Sequence, residues 1–426
     1  MSRKTLWAVA LFLSLGGSAY SAIPAAPNPG AKCPYGDATP NDGCTALYAA
    51  GLQGTVQFPD AFTNPLYGPG NGQEYNSRLQ ENQAGVDFPV GLPQSYVGKL
   101  KDPMANPPAN CAASPTGSAA KGPKLTCGGG PVVIHGYQFG PTGGHKATVL
   151  RVNNTATSED IQFNEFSNDD NTVLSSNAND YAIYLAAPGS TFNSVFSHNT
   201  VNGQCHSEKC GLNYQVVAYT SGSKTWDYNA WLWMPVRITA GCSGECPTIG
   251  DLNLRWSMVM GHDMTAALHG EWIEEIFGQK GTPTTQAHTN YIGNVVIQPA
   301  AAAANSTANI YVSGGGAPIT PTYSDVLISD STLICNRNNG KPICSALIDF
   351  QNGTYSRVRF INLAVDASGS IGMFRADCNH GTNYQKANFP TGVTMTNIQN
   401  MLERPGRSLV TSFNFKNKCS SEQSPP

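Results

Sequence analysis

The feature that most constrains this chain is a strand-like pattern that occurs more than once. The stretch YSDVLISDSTLI begins at Tyr323, and thirty-two positions later YSRVRFINLAV begins at Tyr355. Both open with Tyr-Ser, alternate apolar and polar residues, and then turn polar, at Ser329-Asp330 or at Ile361-Asn362. Alternation with a period of two residues indicates β-strands. The repeat therefore predicts two strands of the same kind.

Weaker copies of this pattern run through the chain. They share alternating apolar positions followed closely by Asn, Asp or Ser, and they begin at Glu159, Ser190, Lys224, Gly250, His288 and Thr391. Shorter apolar runs lie between them and begin at Ala182, Tyr214, Pro235, Cys344 and Ile371. A strand, a polar bend, a second strand and a variable loop, repeated in this way, are typical of a β-solenoid. A two-sheet sandwich is the alternative, since it also has short strands and turns.

In a solenoid, each strand lies directly on its copy in the next coil, so inward apolar residues form ladders. The two Tyr-Ser stretches are then stacked rungs. Asn or Asp at a bend can bond the backbone of a neighbouring coil. This predicts a bend role for Asn168, Asn199, Asn294 and Asn362.

The rung pattern of residues 131–402 resembles the pectate-lyase-like superfamily of right-handed parallel β-helix proteins. The resemblance implies an all-β, right-handed parallel β-helix, a solenoid of about eight or more coils, as the catalytic domain. A solenoid needs a cover on its terminal rung, so residues 23–130, rich in Pro and Gly, are predicted to form a capping and wrapping arm. Residues 403–426 are predicted to be a tail that folds back along the helix.

Residues 1–22 have the pattern of an export signal. Ser2-Arg3-Lys4 is the positive region, Leu6 to Leu15 is a short apolar core, and small residues up to Ala22 form a cleavage zone. The apolar run is too short to span a membrane, although a membrane anchor is the alternative interpretation. We therefore expect a secreted or periplasmic protein without stable membrane insertion. The oligomeric state is not predicted.

The cysteines agree with export. The chain has 12, and an even count of closely spaced cysteines in an exported protein favours disulfides. The expected neighbour pairs are Cys33/Cys44, Cys111/Cys127, Cys205/Cys210, Cys242/Cys246 and Cys335/Cys344, with Cys378 and Cys419 left over. The two shortest spacings also suit metal ligands, but no further His or Cys completes a tetrahedral zinc site.

The charge excludes one class of partner. Charged residues make up 12% of the chain and the net charge is −3. A protein that binds phosphates needs a concentrated basic face. We therefore expect no nucleic-acid partner.

The densest run of chemically capable residues extends from Arg255 to Gly278. Part of it, LHGEWIEEI, is similar to the His-Gly-Asp-x-Ile-Gln rung of many β-helix proteins that handle polysaccharides. His269, Gly270 and Ile273 match that rung, whereas Glu271 replaces its Asp and Glu274 replaces its Gln. The resemblance implies a polysaccharide or oligosaccharide as substrate.

Glycoside cleavage needs two carboxyl groups, one held protonated and one ionised. Asp263 and Glu271 are the predicted pair, with Glu275 in reserve, provided that Met258-Val259 and Trp272-Ile273 belong to successive strands. Histidine side chains can tune protonation or bind hydroxyls, and the residues predicted to contact the substrate are His262, His269, Trp272 and Arg255. Alternatively, the glutamates are solvated and the histidines bond the backbone at bends.

The stretch TWDYNAWLWMP, from Thr225, favours a sugar ligand. Exposed Trp rings offer flat apolar faces with polar edges. Trp226 is predicted to be exposed, and Trp231 and Trp233 are further candidates, with membership of the core as the alternative.

Two other functions stay open. Lyases and epimerases of this fold class use Arg or Lys as base, often with calcium; the candidates here are Arg237, Arg255, Lys224 and Lys280. The loop SNDDN from Ser167 has too few oxygen ligands for calcium by itself, so no cofactor is predicted, with calcium as the alternative. A non-catalytic glycan-binding or adhesin module is the third function, since a fold alone does not decide among them.

Overall fold

The computed structural model describes residues 91–92, 96, 98–114, 123–140, 149–167, 183–202, 216–234, 238–241, 248–261, 271–276, 285–298, 308–313, 321–335, 344–366, 370–376, 387–400 and 410–415. Within these ranges the regular structure is β-strand, and no α-helix occurs. The segment predicted to be an export signal, residues 1–22, lies outside the described residues. In the part that is described, no helix is long and apolar enough to cross a membrane.

The strands of the first half are β1 (Cys111–Ser114), β2 (Lys124–Cys127), β3 (Pro131–His135), β4 (Gln138–Phe139), β5 (Val149–Val152), β6 (Ser158–Gln162), β7 (Glu165–Ser167), β8 (Ile183–Ser190), β9 (Ser194–Ser197), β10 (Thr200–Asn202), β11 (Val216–Thr220), β12 (Lys224–Asp227), β13 (Ala230–Met234), β14 (Ile238–Gly241), β15 (Thr248–Ile249) and β16 (Leu252–Arg255). The strands of the second half are β17 (Met258–Gly261), β18 (Glu271–Ile276), β19 (Thr285–Gln286), β20 (Thr289–Ile292), β21 (Val295–Gln298), β22 (Ala308–Ser313), β23 (Thr322–Tyr323), β24 (Val326–Ser329), β25 (Thr332–Cys335), β26 (Cys344–Gln351), β27 (Gly353–Tyr355), β28 (Val358–Asp366), β29 (Ser370–Ala376), β30 (Ala387–Asn388), β31 (Val393–Asn400) and β32 (Val410–Phe415).

These strands form three sheets. Sheet 1 has ten strands, in the order β1-β2-β5-β8-β11-β14-β18-β22-β26-β29. Sheet 2 has 17 strands and contains two parallel ladders that share the long strands β28 and β31. Sheet 3 is a small ladder, β15-β19-β23-β27-β30. Successive turns of the chain thus add one strand to sheet 1 and one to each ladder of sheet 2, and from β15 onward one to sheet 3. This arrangement is consistent with a parallel β-solenoid.

The two Tyr-Ser stretches are neighbours, as the repeat predicts. Val326 of β24 pairs with Val358 of β28. Tyr323 pairs with Tyr355, and their rings stack with centroids 4.6 Å apart. The Tyr-Ser copies are therefore stacked rungs.

The weaker copies occupy the same ladder. Their strands β6, β9, β12, β16, β20 and β31 all belong to the ladder of sheet 2 that also contains β24 and β28. The shorter apolar runs instead form β8, β11, β14, β26 and β29 of sheet 1. Alternation in the sequence thus predicted the strands of sheet 1 and of this ladder of sheet 2, because each strand has one face on the core.

The bend between β6 and β7 and the equivalent bends of later rungs have the same backbone conformation. The first bend residue has a positive φ, in the order Phe163, His198, Tyr228, Trp256, Gly293 and Asp330. The next residue is buried and polar, in the order Asn164, Asn199, Asn229, Ser257, Asn294 and Ser331. Residues other than glycine rarely adopt such a φ, so the packing must hold the backbone there.

Hydrogen bonds along these polar residues join the rungs. The backbone N–H of Asn164 donates to Asn199 Oδ1, and that of Asn199 donates to Asn229 Oδ1, each over 3.0 Å. Asn199 Nδ2 donates to the carbonyl of Ile161 over 2.9 Å. The predicted role of Asn199 and Asn294 is confirmed. Asn168 lies outside the described residues. The predicted bend at Asn362 is wrong, because this residue lies inside the continuous strand β28.

A column of stacked rings lies outside this polar ladder. Tyr96 stacks on Phe163 with centroids 4.9 Å apart, Phe163 stacks on His198 at 5.2 Å, and His198 stacks on Tyr228 at 4.7 Å. Burial lowers the pKa of His198. The rings cover each other's faces, so this column stabilises the bends and does not offer flat faces to a sugar.

Within segment 23–130, the described residues from Gly91 to Lys101 run along the same bends, whereas β1 and β2 belong to sheet 1. The Gly91 N–H donates to the Tyr228 carbonyl over 2.7 Å, and the Leu92 N–H donates to Thr200 Oγ1 over 2.9 Å. Lys101 pairs with Tyr137 further along the stack. Gly91 has φ +81°, and a Cβ there would lie 2.6 Å from Thr200 Oγ1. This close approach requires glycine.

An antiparallel strand lies at each end of the stacked strands. β1 pairs with β2 in sheet 1, where Cys111 and Cys127 form a disulfide. β32 pairs with β31 in sheet 2, so the chain reverses direction after residue 400. Cys335 and Cys344 form a second disulfide. Both are predicted neighbour pairs; the other eight cysteines lie outside the described residues.

One acidic side chain is buried among the apolar residues of the interior. Glu159 pairs with Val132 on one side and Ser194 on the other. Ser194 Oγ donates to Glu159 Oε1 over 2.6 Å, whereas Oε2 is buried without a hydrogen-bond partner in the described part of the chain. Burial raises the pKa of this carboxyl well above its usual 4.5, and the Ser194 hydrogen bond opposes that shift only in part.

Glu159→Gln is expected to change how stability depends on pH. Since the folded-state pKa is the higher one, the folded protein binds more protons above pH 4.5, and its free energy of unfolding falls as pH rises. The slope reaches at most about 1.4 kcal/mol per pH unit. Glutamine cannot ionise, so the difference in unfolding free energy between variant and parent should grow in the variant's favour from pH 4 upward. Urea titrations at several pH values measure it; a constant difference would contradict the assignment.

Candidate functional site

One register row on sheet 1 contains six of the 13 charged and aromatic residues in the strands of that sheet. Backbone pairing places nine residues in line: Thr126, Arg151, Tyr184, Val217, Thr239, Glu274, Tyr311, Asp349 and Arg375. We call this line the outer row. Successive members are separated by the strand spacing, about 4.8 Å. It is the candidate functional site.

The described members of the row point away from the core. Tyr311 lies between Ile310 and Val312, and Asp349 lies between Ile348 and Phe350. All four of these neighbours belong to the apolar core. Since successive side chains of a strand point to opposite faces, Tyr311 and Asp349 lie on the outer face of sheet 1.

A hydrogen-bonded chain joins these two residues. The Tyr311 hydroxyl donates to Gln351 Oε1 over 2.9 Å, and Gln351 Nε2 donates to Asp349 Oδ2 over 3.1 Å. Tyr311 and Gln351 are half-buried, whereas Asp349 is fully buried. Asp349 therefore positions Gln351, and Gln351 in turn positions the Tyr311 hydroxyl.

Register separates the glutamates of β18. Glu274 pairs with Thr239 and Tyr311, and so belongs to the outer row. Glu275 pairs with Val312, and Glu271 pairs with Ala308. Val312 lies in the apolar core and Ala308 is fully buried. Of the three glutamates, Glu274 is the one in line with Tyr311 and Asp349.

The predicted acidic site is described only in part. His262, Asp263 and His269 lie in segment 262–270, outside the described residues. That segment joins β17 of sheet 2 directly to β18 of sheet 1, as predicted for successive strands. The backbones of Trp233, Glu271, Trp272, Glu274 and Glu275 lie in β13 and β18, but nothing is described of their side chains. Their proposed roles stay predictions.

The prediction that Trp226 is exposed is wrong. Trp226 and Trp231 are both fully buried in the core, and their ring centroids are 5.9 Å apart. Trp226 lies in β12, two residues before the bend at Tyr228, whereas Trp231 follows the bend in β13. Both strands turn one face inward, so the corner between them accepts both rings. Neither ring presents a face to a sugar.

Arg255, which was predicted to contact the substrate, is instead buried in an ion pair. Its Nε and Nη2 donate to the two carboxylate oxygens of Asp227 over 2.9 and 2.8 Å. Both side chains are buried. Burial raises the pKa of Asp227, and the Arg255 hydrogen bonds and charge oppose that shift. This pair joins two neighbouring rungs. Removing either partner would leave an uncompensated buried charge.

Lys224 is also unsuited to the role of lyase base. It is fully buried on the inner face of β12, next to Ser194 in the register. Its Nζ donates to the Thr220 carbonyl over 2.8 Å. The other two basic candidates, Arg237 and Lys280, lie outside the described residues.

Arg151 and Tyr184 of the outer row were not predicted from the sequence. Arg151 is exposed, and its guanidinium carbon lies 5.5 Å from the Tyr184 ring centroid. The Tyr184 ring meets the Tyr219 ring edge to face, with centroids 6.1 Å apart. The available signal was alternation within β5 and β8, where Arg151 and Tyr184 each lie between two buried apolar residues.

The described ranges contain no cluster of three or more His, Cys, Asp or Glu residues arranged to hold a metal ion. The loop considered for calcium lies outside those ranges from Asn168 onward.

Comparison with known proteins leaves the fold to be argued from strand pairing. No protein-family model, no curated protein and no solved structure matches this chain. What the pairing establishes is an all-β chain with long parallel sheets, compatible with a β-helix.

Proposed function

We propose that the protein is an exported carbohydrate-active enzyme that hydrolyses glycosidic bonds of a polysaccharide by means of paired carboxylates. In this proposal the stacked sheets are a right-handed parallel β-helix of the pectate-lyase-like kind. The observation that supports it is the outer row, in which the backbone of Glu274 is in register with Tyr311, and Tyr311 is in register with Asp349. The segment with Asp263 leads directly into that row.

The proposed chemistry uses Asp263 and one glutamate of β18. One carboxyl protonates the leaving oxygen while the other, ionised, activates water or attacks the sugar. Sequence reasoning gives the second role to Glu271, but register favours Glu274, which lies in line with Tyr311. His262 and His269 tune protonation or bind hydroxyls. Trp233 and Trp272 remain candidates for sugar stacking.

The geometry suits a long chain-like ligand. Members of the outer row follow one another at the strand spacing, about 4.8 Å, so neighbouring rungs meet neighbouring parts of an extended glycan. Tyrosine side chains combine an apolar ring with a polar tip, and the row contains Tyr184 and Tyr311. Export is supported by the two disulfides, since such bonds persist in oxidising compartments.

The test is incubation of the purified protein with a panel of neutral and charged polysaccharides. Hydrolysis releases new reducing ends without ultraviolet-absorbing products. We expect reducing ends from at least one substrate. If no substrate releases reducing ends but the protein still binds glycans, the enzyme proposal is wrong and a glycan-binding module is the function that remains.

A lyase is the second candidate, because the outer row also contains two arginines, Arg151 and Arg375. Elimination leaves an unsaturated sugar that absorbs in the ultraviolet, so the same panel separates the two reactions. With Arg255 and Lys224 buried, a lyase would need its base from this row or from Arg237 or Lys280.

A further inference from the structure

Charge is distributed unevenly along sheet 1. Strands β1, β2, β5, β8, β11 and β14 contain two charged residues, Lys124 and Arg151, and both are basic. The acids begin at β18, with Glu271, Glu274, Glu275 and Asp349. One end of the sheet is thus basic and aromatic, and the other is mainly acidic. A ligand that lies along the outer row meets these ends in sequence.

The basic end has a preformed geometry. Arg151 lies over the Tyr184 ring, and Tyr184 in turn packs on Tyr219, so three successive rungs contribute one continuous surface. A guanidinium that lies over an aromatic ring is held by cation–π attraction. Among the described residues, no carboxylate forms an ion pair with Arg151, and its side chain is exposed. Within the described part of the chain, its charge is therefore not neutralised by a carboxylate.

The geometry points to a binding subsite for an anionic glycan, formed by Arg151, Tyr184 and Tyr219. The guanidinium takes a carboxylate or sulfate group of the sugar, because its planar fork matches two acceptor oxygens at once. The tyrosines contact the adjoining sugar unit. Since the acids lie several rungs away, the anionic group is held at a distance from the carboxylates that would repel it, and the glycan is oriented along the row.

This inference rests on the proposed function for its glycan, but binding is measured separately from cleavage. The probes are a linear polyuronate, its carboxyl-reduced neutral form, and a sulfated glycan free of carboxyl groups. Their dissociation constants are measured by calorimetry at low salt for the parent and for Arg151→Gln. Lys99→Gln is the matched control, since it removes one exposed positive charge from a different surface.

Arg151→Gln should weaken binding of an anionic probe about tenfold or more, because glutamine cannot supply the two charge-assisted hydrogen bonds that the guanidinium donates. Binding of the neutral form should not change, and Lys99→Gln should behave as the parent. Comparing the dissociation constants of the polyuronate and the sulfated glycan shows whether the subsite prefers a carboxylate or a sulfate group. A thermal melt verifies that the variant is folded.

Equal binding of both charged probes by the parent and Arg151→Gln would overturn the subsite, as would equal affinity of the parent for neutral and anionic forms. If Arg151-dependent binding occurs without any cleavage, the subsite stands and the hydrolase proposal fails. If the parent and Arg151→Gln cleave neutral glycans equally well and neither binds the anionic probes, the hydrolase proposal is supported and the subsite proposal is wrong.

Discussion

Asp263→Asn and Glu274→Gln are each expected to lower turnover of the cleaved polysaccharide by about two powers of ten or more, while the fold and glycan binding persist. Positioned acid–base groups contribute rate factors of that order, and an amide of the same shape can neither donate nor accept the proton. Glu271→Gln is measured beside them, since it is the partner that the sequence alone suggests. The measurement is the release of reducing ends at saturating substrate.

Glu275→Gln is the matched control, because it makes the same change one residue further along the same strand. Glu275 pairs with Val312, a core residue, whereas Glu274 pairs with Tyr311 on the outer face. We therefore expect turnover near the parent value for Glu275→Gln. If Glu275→Gln abolishes turnover and Glu274→Gln does not, the register argument is wrong. If Asp263→Asn, Glu271→Gln and Glu274→Gln all cleave at the parent rate, the paired-carboxylate mechanism is wrong.

The distance between the two carboxyl groups determines the stereochemistry of the reaction, which is a separate prediction. Carboxyl groups about 5–5.5 Å apart lead to retention of anomeric configuration, and a separation of about 6.5–9.5 Å leads to inversion. Residues on neighbouring secondary-structure elements, one in a connecting segment and one in a strand, suit the wider separation. We expect inversion, which nuclear magnetic resonance of the first-formed product measures directly.

Asn199→Ala is expected to reduce the free energy of unfolding by about 3 kcal/mol. Asn199 is fully buried in the middle of the polar ladder. Its side chain accepts from the Asn164 N–H and donates to the Ile161 carbonyl. Alanine leaves both backbone groups buried without these partners, and each such loss costs about 1–3 kcal/mol. Urea unfolding followed by circular dichroism measures the change.

Two companion variants make this prediction specific. Serine already occupies the ladder at Ser257, where its hydroxyl accepts from the Asn229 N–H over 3.1 Å. Asn199→Ser should therefore keep an acceptor for the Asn164 N–H, lose the amide that donates to the Ile161 carbonyl, and cost roughly half as much as alanine. Asn154→Ala, in an exposed turn, should change stability by less than about 0.5 kcal/mol. A loss for Asn199→Ala no larger than that of Asn154→Ala would mean that the ladder does not stabilise the stack.

The local part of the fold was readable from the sequence by itself. Strand alternation identified the ladders, because a strand with one buried face must alternate wherever it lies. Polar bend residues such as Asn199 and Asn294 were readable for a similar reason: a tight bend leaves backbone groups that an amide satisfies. The pairs Cys111/Cys127 and Cys335/Cys344 followed from proximity along the chain.

Only the tertiary structure decided which residues from different rungs meet. The step from one rung to the next is 28 residues between Lys224 and Leu252 but 37 between Leu252 and Thr289, because the loops differ in length. No fixed period therefore reveals that Arg255 meets Asp227, or that Glu274 lies in line with Tyr311. The inward direction of both Trp226 and Trp231 depends on a corner that the linear sequence does not display. The outer row exists because backbone hydrogen bonding sets the register across loops of unequal length, and that register is a property of the folded stack.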